Sequence, residues 1–306
     1  MPQGGLMITN AHSIDATSHD FKQACPVCPT KDPRRTYRFD NFDVLSCDNC
    51  GTSWRSDMYD DNALTDIYCS DDYVEHPYFD QRLDDSLPVS EERLKNFEHG
   101  FDVIEASTEV GRHLDVGAAS GSVIAIAARR GWKSEGVEMS PGLANAARNK
   151  HNAKIHVGKF EDVALEPGSF DALTFWDIIE HVIDPVTVIQ RARSLLSKNG
   201  VILFCTPDES SWLAKTGHAL YRIGYRYPAL ALHPENHTYF FERTNFERIL
   251  EACDLDVVSV YSQSAYFGHS PLASSLQKVA IAGIEKISSY ADRQYEMVFV
   301  AKLRGG

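Results

Sequence analysis

The chain has 306 residues, enough to bury a full hydrophobic core and to carry a small second module. Its 30 Lys and Arg residues stand against 43 Asp and Glu residues, a net charge of −13 that repels phosphate backbones and disfavours a nucleic-acid partner. No apolar run approaches the roughly 18 residues of a membrane helix and no secretory signal is visible, so we expect a cytoplasmic protein without a membrane partner.

Residues 1–22 carry no periodic pattern, and we expect a loosely held terminus there. Residues 23–56 contain four of the seven cysteines, in two Cys-x-x-Cys pairs: Cys25, Cys28, Cys47 and Cys50. Such pairs are typical of a tetrahedral zinc site, and the strand-like runs between them predict a zinc ribbon. A site with four thiolates is closed, so its zinc would be structural. The alternative is four reduced cysteines, one pair of which is redox-active.

Residues 57–88 combine aromatic and acidic side chains, and Tyr68 is one of five aromatic residues between positions 59 and 79. One interpretation is a lid over a ligand site, with the acids solvated. The other is a linker whose aromatic residues fill an interface between modules. A helix is predicted from about Ser90 to Ala106, and it opens the main domain, residues 89–306.

Two strand-like runs, 112–116 and 134–138, flank a helical pattern from Ser122 to Arg130. This order predicts the first half of a doubly wound α/β fold. Gly117 and Gly121 bracket the turn between strand and helix, where a missing Cβ lets a ligand approach the backbone. The loop lacks the G-x-G-x-x-G pattern, which disfavours a nicotinamide cofactor. Glu138 ends the second strand, where a carboxylate suits two ribose hydroxyls.

The loop from Asp115 to Gly121, with Glu138 after it, resembles the class I S-adenosylmethionine (SAM)-dependent methyltransferases. A second segment, Asp177-Ile-Ile-Glu180-His181 through Asp184-Pro185, follows a predicted strand that begins at Phe170. It resembles the D-x-x-E-H-x-x-D-P segment of the branch that contains the ubiquinone-biosynthesis O-methyltransferases and many sugar and natural-product methylases. The resemblance implies a Rossmann-like, seven-stranded and mostly parallel sheet whose last strand runs antiparallel to its neighbours.

The same resemblance implies which residues bind SAM. The methionine end would be held by four loop residues: Asp115, Gly117, Ala118 and Gly121. Asp115 would attract the ammonium group or order the loop. Trp176 and Asp177, at the end of the fourth strand, would lie beside the methionine part.

On the adenine side, Glu138 would hold the ribose, and Met139 and Phe160 would flank the base. Ordinary core packing suits both apolar side chains equally. The turn that contains Phe160 has a lysine where the family often has Asp, so Glu161 and Asp162 remain the acidic candidates for the adenine amine.

Residues 207–241 interrupt the alternation after the fifth strand, at the sheet edge where ligands of such folds bind. A substrate lid is expected there; a membrane-surface helix fits less well, because the apolar spacing is irregular. Methylation of an oxygen benefits from a general base, and imidazole suits that role near pH 7. The candidates are His181, His233 and His237, each of which also fits a capping or hydrogen-bonding role. Glu180 would orient an imidazole or, as we favour, form a structural ion pair.

The leading functional hypothesis is SAM-dependent O-methylation of a small polar metabolite, such as a sugar, nucleotide-sugar or natural-product hydroxyl or carboxylate. A second hypothesis is RNA methylation, because some rRNA methylases carry an N-terminal zinc module; the acidic net charge counts against it. A third is a non-catalytic SAM-binding scaffold whose ribbon docks a partner. The sequence predicts neither the acceptor nor the oligomeric state.

Overall fold

A seven-stranded sheet forms the centre of the computed structural model, which describes residues 24–57, 65–66, 68–69, 91–234, 236–264 and 275–305. The strands of this sheet, in chain order, are β4 (Arg112–Val116), β5 (Lys133–Glu138), β6 (Lys154–Val157), β7 (Phe170–Trp176), β8 (Leu196–Pro207), β10 (Leu255–Gln263) and β11 (Glu296–Leu303). Their spatial order is β10-β11-β8-β7-β4-β5-β6. The five strands from β4 to β8 pair in parallel, and β11 pairs antiparallel with both β8 and β10. The predicted doubly wound α/β fold, with its antiparallel last strand, is therefore confirmed.

The chain order reverses at β4, which lies between β5 and β7. In open α/β sheets, ligands bind at such a switch point, beyond the carboxyl ends of the strands. The loop after β4 and the segment after β7 both leave the sheet at this edge. The topology thus brings together the two segments in which the sequence predicted the cofactor site.

Helices cover both faces of the sheet. Their bounds are α1 (Glu91–Glu105), α2 (Ser122–Arg129), α3 (Pro141–His151), α4 (Pro185–Leu195), α5 (Trp212–Arg222), α6 (Tyr227–Leu232), α7 (Arg243–Ala252) and α8 (Ser275–Ser289). The central strand β8 alternates its buried side chains between the two faces, as a covered strand must. Leu203 packs with α1 and α2 on one face, whereas Phe204 packs with α4 and α7 on the other. No helix of the described residues is long and apolar enough to cross a membrane.

A second, four-stranded antiparallel sheet contains the cysteine-rich segment. Its strands are β1 (Arg34–Arg38), β2 (Asp43–Ser46), β3 (Ser53–Arg55) and β9 (Tyr239–Phe240), in that spatial order. The first three strands come from the predicted ribbon, but β9 comes from the end of the insertion. The buried Trp54 also packs in the same core cluster as Phe246 of α7. The ribbon and the insertion are therefore built around one shared sheet.

Candidate functional site

The loop after β4 turns through three residues with left-handed backbone conformation: Gly117 (φ 74°), Ala119 (φ 47°) and Gly121 (φ 86°). A Cβ at Gly117 would lie 2.1 Å from Cδ1 of Ile178, in the segment after β7. The absence of a side chain at Gly117 therefore lets the two segments pack directly against each other.

Glu138 fixes the shape of this loop from the neighbouring strand. Its carboxylate accepts a hydrogen bond from the backbone N–H of Ala119 (2.8 Å) and another from that of Ser140 (2.7 Å). Burial raises the pKa of Glu138, although these N–H groups oppose the shift. A carboxylate has about four acceptor positions, so lone pairs remain for a ligand's hydroxyl groups.

Asp115 lies beneath the loop at the end of a buried hydrogen-bonded chain. Its Oδ1 accepts from Thr174 Oγ1 (2.7 Å), which lies 2.9 Å from Nε2 of His113. The Nδ1 of His113 lies 2.7 Å from Ser134 Oγ. Burial lowers the pKa of His113 to about 3 and raises that of Asp115 to about 7. Because Thr174 gives its proton to Asp115, a neutral His113 must donate from Nε2 and accept from Ser134.

Ala118, Met139 and Phe160 lie around the Glu138 end of the loop with different exposures. Ala118 is buried against α2 and α3, and Met139 is half-buried. Phe160 is buried in the main core, edge-on to Phe175 with ring centroids 5.5 Å apart. Cys69 Sγ lies 3.6 Å from the carbonyl oxygen of Met139, so the chain at Cys69 reaches this edge of the sheet. The rest of the predicted lid or linker, residues 58–64, 67 and 70–88, lies outside the described residues.

Trp176 and Asp177 end β7 beside a small polar cavity. Asp177 has a left-handed backbone (φ 54°) and pairs with the Arg93 guanidinium of α1 at 2.9 Å. Trp176 is buried, and its Nε1 has no hydrogen-bond partner among the described residues. Burial, followed by the charge of Asp177, raises the pKa of Glu296 to about 8. The residues lining the cavity are Arg93, Asn96, Phe97, Trp176, Asp177, Gln263 and Glu296.

Glu180, His181 and His237 form a cluster just beyond Asp177, with ligand-type atoms within 4.8 Å of one another. The His181 and His237 rings meet edge to face at 4.7 Å. His181 Nδ1 lies 2.7 Å from the carbonyl oxygen of Asn236, so Nδ1 carries the proton and Nε2 is free to accept one. Burial lowers the pKa of His181 and, to a greater extent, that of His237, which keeps both imidazoles neutral near pH 7.

Glu180 holds the insertion against this cluster. Its backbone carbonyl accepts from the N–H groups of Thr238 (2.8 Å) and Tyr239 (3.0 Å), and one carboxyl oxygen accepts from Thr206. Its other carboxyl oxygen lies 4.0 Å from His181 Nε2, beyond hydrogen-bond distance. The orientation of His181 is thus set by Asn236 and not by Glu180.

The structure brings His181 and His237 together and places His233 in a different group. His233 is buried beside Phe240, with ring centroids 4.5 Å apart, and it clusters with Glu209 and His218. Neither of these partners was indicated by the sequence, because they belong to no recognisable motif. The sequence also did not identify Arg93 and Glu296 as residues of the site. The signal for Glu296 was a carboxylate directly before the apolar run from Met297 to Ala301.

The four cysteines of the ribbon converge as their spacing predicted. All four are buried, and their sulfur atoms lie within 4.8 Å of one another. The Cys25–Cys50 and Cys28–Cys47 sulfur pairs are each 3.6 Å apart. Zinc–thiolate bonds of about 2.3 Å place the sulfurs of a tetrahedral site roughly 3.8 Å apart. The donor set and spacing therefore fit a zinc ion.

Comparison with known proteins agrees with this geometry. Residues 90–260, more than half of the chain, match the family model described as "Methyltransferase domain". A ubiquinone biosynthesis O-methyltransferase from Xanthomonas campestris pv. campestris is 31% identical over 157 residues, covering 49% of this chain. A homologue from Xanthomonas euvesicatoria is 32% identical over 134 residues. The first alignment spans 64% of the relative's own length, which is less than two thirds of it.

Solved structures show the same fold. The magnesium protoporphyrin IX methyltransferase of Synechocystis PCC 6803 aligns with a TM-score of 0.55 and 14% identity, over 80% of this chain and 100% of that one. The phosphoethanolamine N-methyltransferase 2 of Haemonchus contortus aligns with a TM-score of 0.52 and 15% identity, over 83% and 62%. The chain belongs to the methyltransferase-domain family, with the fold of the SAM-dependent enzymes and similarity in sequence to the ubiquinone-biosynthesis O-methyltransferases.

Proposed function

We propose that this protein transfers a methyl group from SAM to an oxygen of a small polar metabolite, such as a sugar or natural-product hydroxyl or carboxylate. The main support is a single arrangement. The loop locked by Glu138 and the Glu180–His181–His237 cluster meet at one sheet edge, joined by the contact between Gly117 and Ile178. A cofactor bound to the loop would thus lie beside a neutral base in the Glu180–His181–His237 cluster.

The loop residues would hold the two ends of SAM. Glu138 would accept hydrogen bonds from the ribose hydroxyls, and Met139 and Phe160 would give the adenine an apolar neighbourhood. Asp115 would attract the methionine ammonium through the loop that contains Gly117, Ala118 and Gly121. When bound, SAM supplies an already activated methyl group on a sulfonium. What the chain must add is alignment of donor and acceptor, and exclusion of water.

His181 is the side chain best placed to take the proton from an acceptor hydroxyl. Its Nδ1–H is occupied by the Asn236 carbonyl, so the lone pair of Nε2 is fixed in direction. His237 would support it across the edge-to-face ring contact. An oriented neutral imidazole near pH 7 is the usual form of a general base. We place His233 outside this catalytic pair, because its Nδ1 is bound to the Ala229 carbonyl and its Nε2 lies beside Glu209 in another cluster.

The segment that contains Tyr68 and Cys69 would close over the site. The Tyr68 ring meets the His181 ring edge-on at 6.3 Å, and Cys69 touches Met139. These contacts favour the lid interpretation of residues 57–88 over a plain linker.

The cavity beside Asp177 would receive the methionine part of SAM or the polar end of the acceptor, next to Arg93. This placement supports an acceptor with polar groups.

The ribbon would bind one structural zinc through Cys25, Cys28, Cys47 and Cys50. Four thiolates leave no open coordination position, so the metal would stabilise the fold and take no part in the reaction. Its contribution to the site would be indirect. Strand β3 pairs with Tyr239, whose N–H also holds the carbonyl of Glu180.

A methyl-transfer screen tests the proposal. The zinc-loaded protein is incubated with SAM and a panel of sugars, nucleotide-sugars, phenols and carboxylates, and S-adenosylhomocysteine is measured. The expected result is product with an oxygen acceptor and a loss of at least 100-fold in kcat for His181→Asn with SAM affinity retained. His99→Asn, which removes an exposed imidazole of α1, is the control. SAM binding without turnover on any acceptor would favour a scaffold role, and turnover only on RNA would favour the nucleic-acid hypothesis.

A further inference from the structure

A second group of buried metal-ligating side chains lies outside both the cofactor site and the cysteine cluster. Glu209 follows β8, His218 lies in α5, and His233 directly follows α6. Each therefore comes from a different element of the insertion. One ligand atom of each lies within 4.8 Å of those of the other two.

The distances within this group fit a single metal ion. Glu209 Oε2 lies 2.8 Å from His218 Nε2 and 3.5 Å from His233 Nε2. Zinc binds imidazole nitrogen and carboxylate oxygen at about 2.0–2.2 Å, which puts the ligand atoms of a tetrahedral site roughly 3.3–3.5 Å apart. Small side-chain rotations would bring all three atoms to that spacing.

The three side chains also leave polar atoms unsatisfied. Glu209 Oε1, His218 Nε2 and His233 Nε2 are buried without a hydrogen-bond partner among the described residues. The 2.8 Å approach of His218 to Glu209 therefore lacks hydrogen-bond geometry. Glu209 is 8% exposed and His233 is 1% exposed, so water cannot readily compensate. Buried polar atoms without partners are costly, and two such imidazole nitrogens that both lie beside Glu209 Oε2 indicate a missing ligand.

The tautomer of His233 shows what kind of ligand is missing. Its Nδ1 lies 2.7 Å from the carbonyl oxygen of Ala229, so Nδ1 carries the proton and Nε2 presents a lone pair. That lone pair faces the Glu209 carboxylate, and two acceptors facing each other need a cation between them. Protons on both Nε2 atoms are the alternative, but neither nitrogen has hydrogen-bond geometry toward Glu209. A metal ion satisfies all three groups.

Aromatic rings enclose the group. The Tyr37 ring from the ribbon lies 4.8 Å from His218 and 5.3 Å from His233, and Phe240 packs on His233. We propose that Glu209, His218 and His233 bind a divalent transition metal, zinc in preference, as a second site distinct from the four cysteines. Two imidazoles and a carboxylate are a common zinc donor set, and they leave one further coordination position. This metal would fasten the two insertion helices to the end of β8 under the ribbon.

Metal stoichiometry tests the proposal. The full-length protein is saturated with zinc, dialysed against trace-metal-free buffer, and analysed for zinc per chain. The wild type is expected to hold one equivalent more than Glu209→Gln and His218→Gln. His156→Gln is the matched control, because it removes the imidazole of a different carboxylate contact, 2.7 Å from Glu135. Equal zinc content in the wild type and in folded Glu209→Gln would overturn the proposal.

A cobalt spectrum gives a second readout that needs no variant. Wild-type protein loaded with a single equivalent of zinc, so that the cysteines are occupied and the second site is not, is titrated with Co²⁺. A saturable equivalent with visible d–d bands but without sulfur-to-cobalt charge transfer is the expected result, because the proposed ligands are nitrogen and oxygen. No saturable cobalt binding, or binding that always brings the sulfur band, would show that the cluster is only a hydrogen-bonded network.

Discussion

Gly117 is the residue at which the loop after β4 meets the segment after β7. Any substitution at Gly117 has two independent costs in stability. The backbone is left-handed, and a Cβ would lie only 2.1 Å from Cδ1 of Ile178. We expect Gly117→Ala to lose roughly 1–2 kcal/mol of stability from the backbone conformation. A further ~1–3 kcal/mol should come from overpacking. Urea unfolding measures the sum.

Gly224 provides the matched control for this prediction. It has a φ of 94°, and no atom lies within 4 Å of a Cβ built there, so Gly224→Ala carries the backbone cost alone. Adding Ile178→Val to Gly117→Ala should recover part of the difference. Equal losses for the two alanine variants would contradict the packing that we describe.

Asp115 should give SAM binding a pH dependence with a defined sign, if it binds the ligand as proposed. Burial raises its pKa to about 7, so the carboxylate is charged above that pH and neutral below it. If Asp115 attracts the SAM ammonium, affinity should fall as the pH drops through 7. We expect about a tenfold loss between pH 7.5 and 5.5, measured by calorimetry. Asp115→Asn should bind more weakly at pH 7.5 and show little of this dependence; an unchanged slope would exclude the role.

His113 should make the fold sensitive to acid. Its pKa is lowered from about 6.5 to about 3, so its contribution to stability is present above pH 6.5 and is lost as the pH falls toward 3. At pH 5 the loss amounts to about 2 kcal/mol. The difference in urea midpoint between pH 7 and 5 should shrink in His113→Asn and stay unchanged in His99→Asn. The same difference in all three proteins would contradict the burial that we describe.

At the scale of elements, the central sheet was predictable from the sequence. The pairing of the ribbon with strand β9 was not. The runs 112–116 and 134–138 flank a glycine-containing turn and a helical pattern, and they match β4 and β5 to within one residue. Strand β9 has two residues, too few for a periodic signal, and it pairs with a strand almost two hundred positions earlier. The histidines show the same limit of prediction from sequence. His181 belongs to a recognisable motif, whereas His233 and Glu209 are brought together only by the fold of the insertion.

Zinc removal should therefore disturb more than the ribbon. Because β3 pairs with Tyr239, loss of the four-cysteine metal should also loosen residues 238–240, which hold the Glu180 carbonyl. The test is hydrogen exchange after chelation, carried out on Glu209→Gln, which lacks the second proposed metal site. Exchange should speed up in residues 24–57 and in residues 238–240. Strand β5 serves as the internal control. Faster exchange confined to 24–57 would show that the ribbon folds independently of the insertion.

At the scale of the molecule, the proposed function requires a cofactor site built from the loop after β4 and Glu138. The most direct measurement is isothermal titration of the zinc-loaded protein with SAM and with S-adenosylhomocysteine, comparing the wild type with Glu138→Gln. We predict saturable 1:1 binding of both ligands and a loss of at least tenfold in affinity for Glu138→Gln, because the amide is a poorer acceptor for two hydroxyls. If folded wild-type protein binds neither ligand, the proposed cofactor site is contradicted.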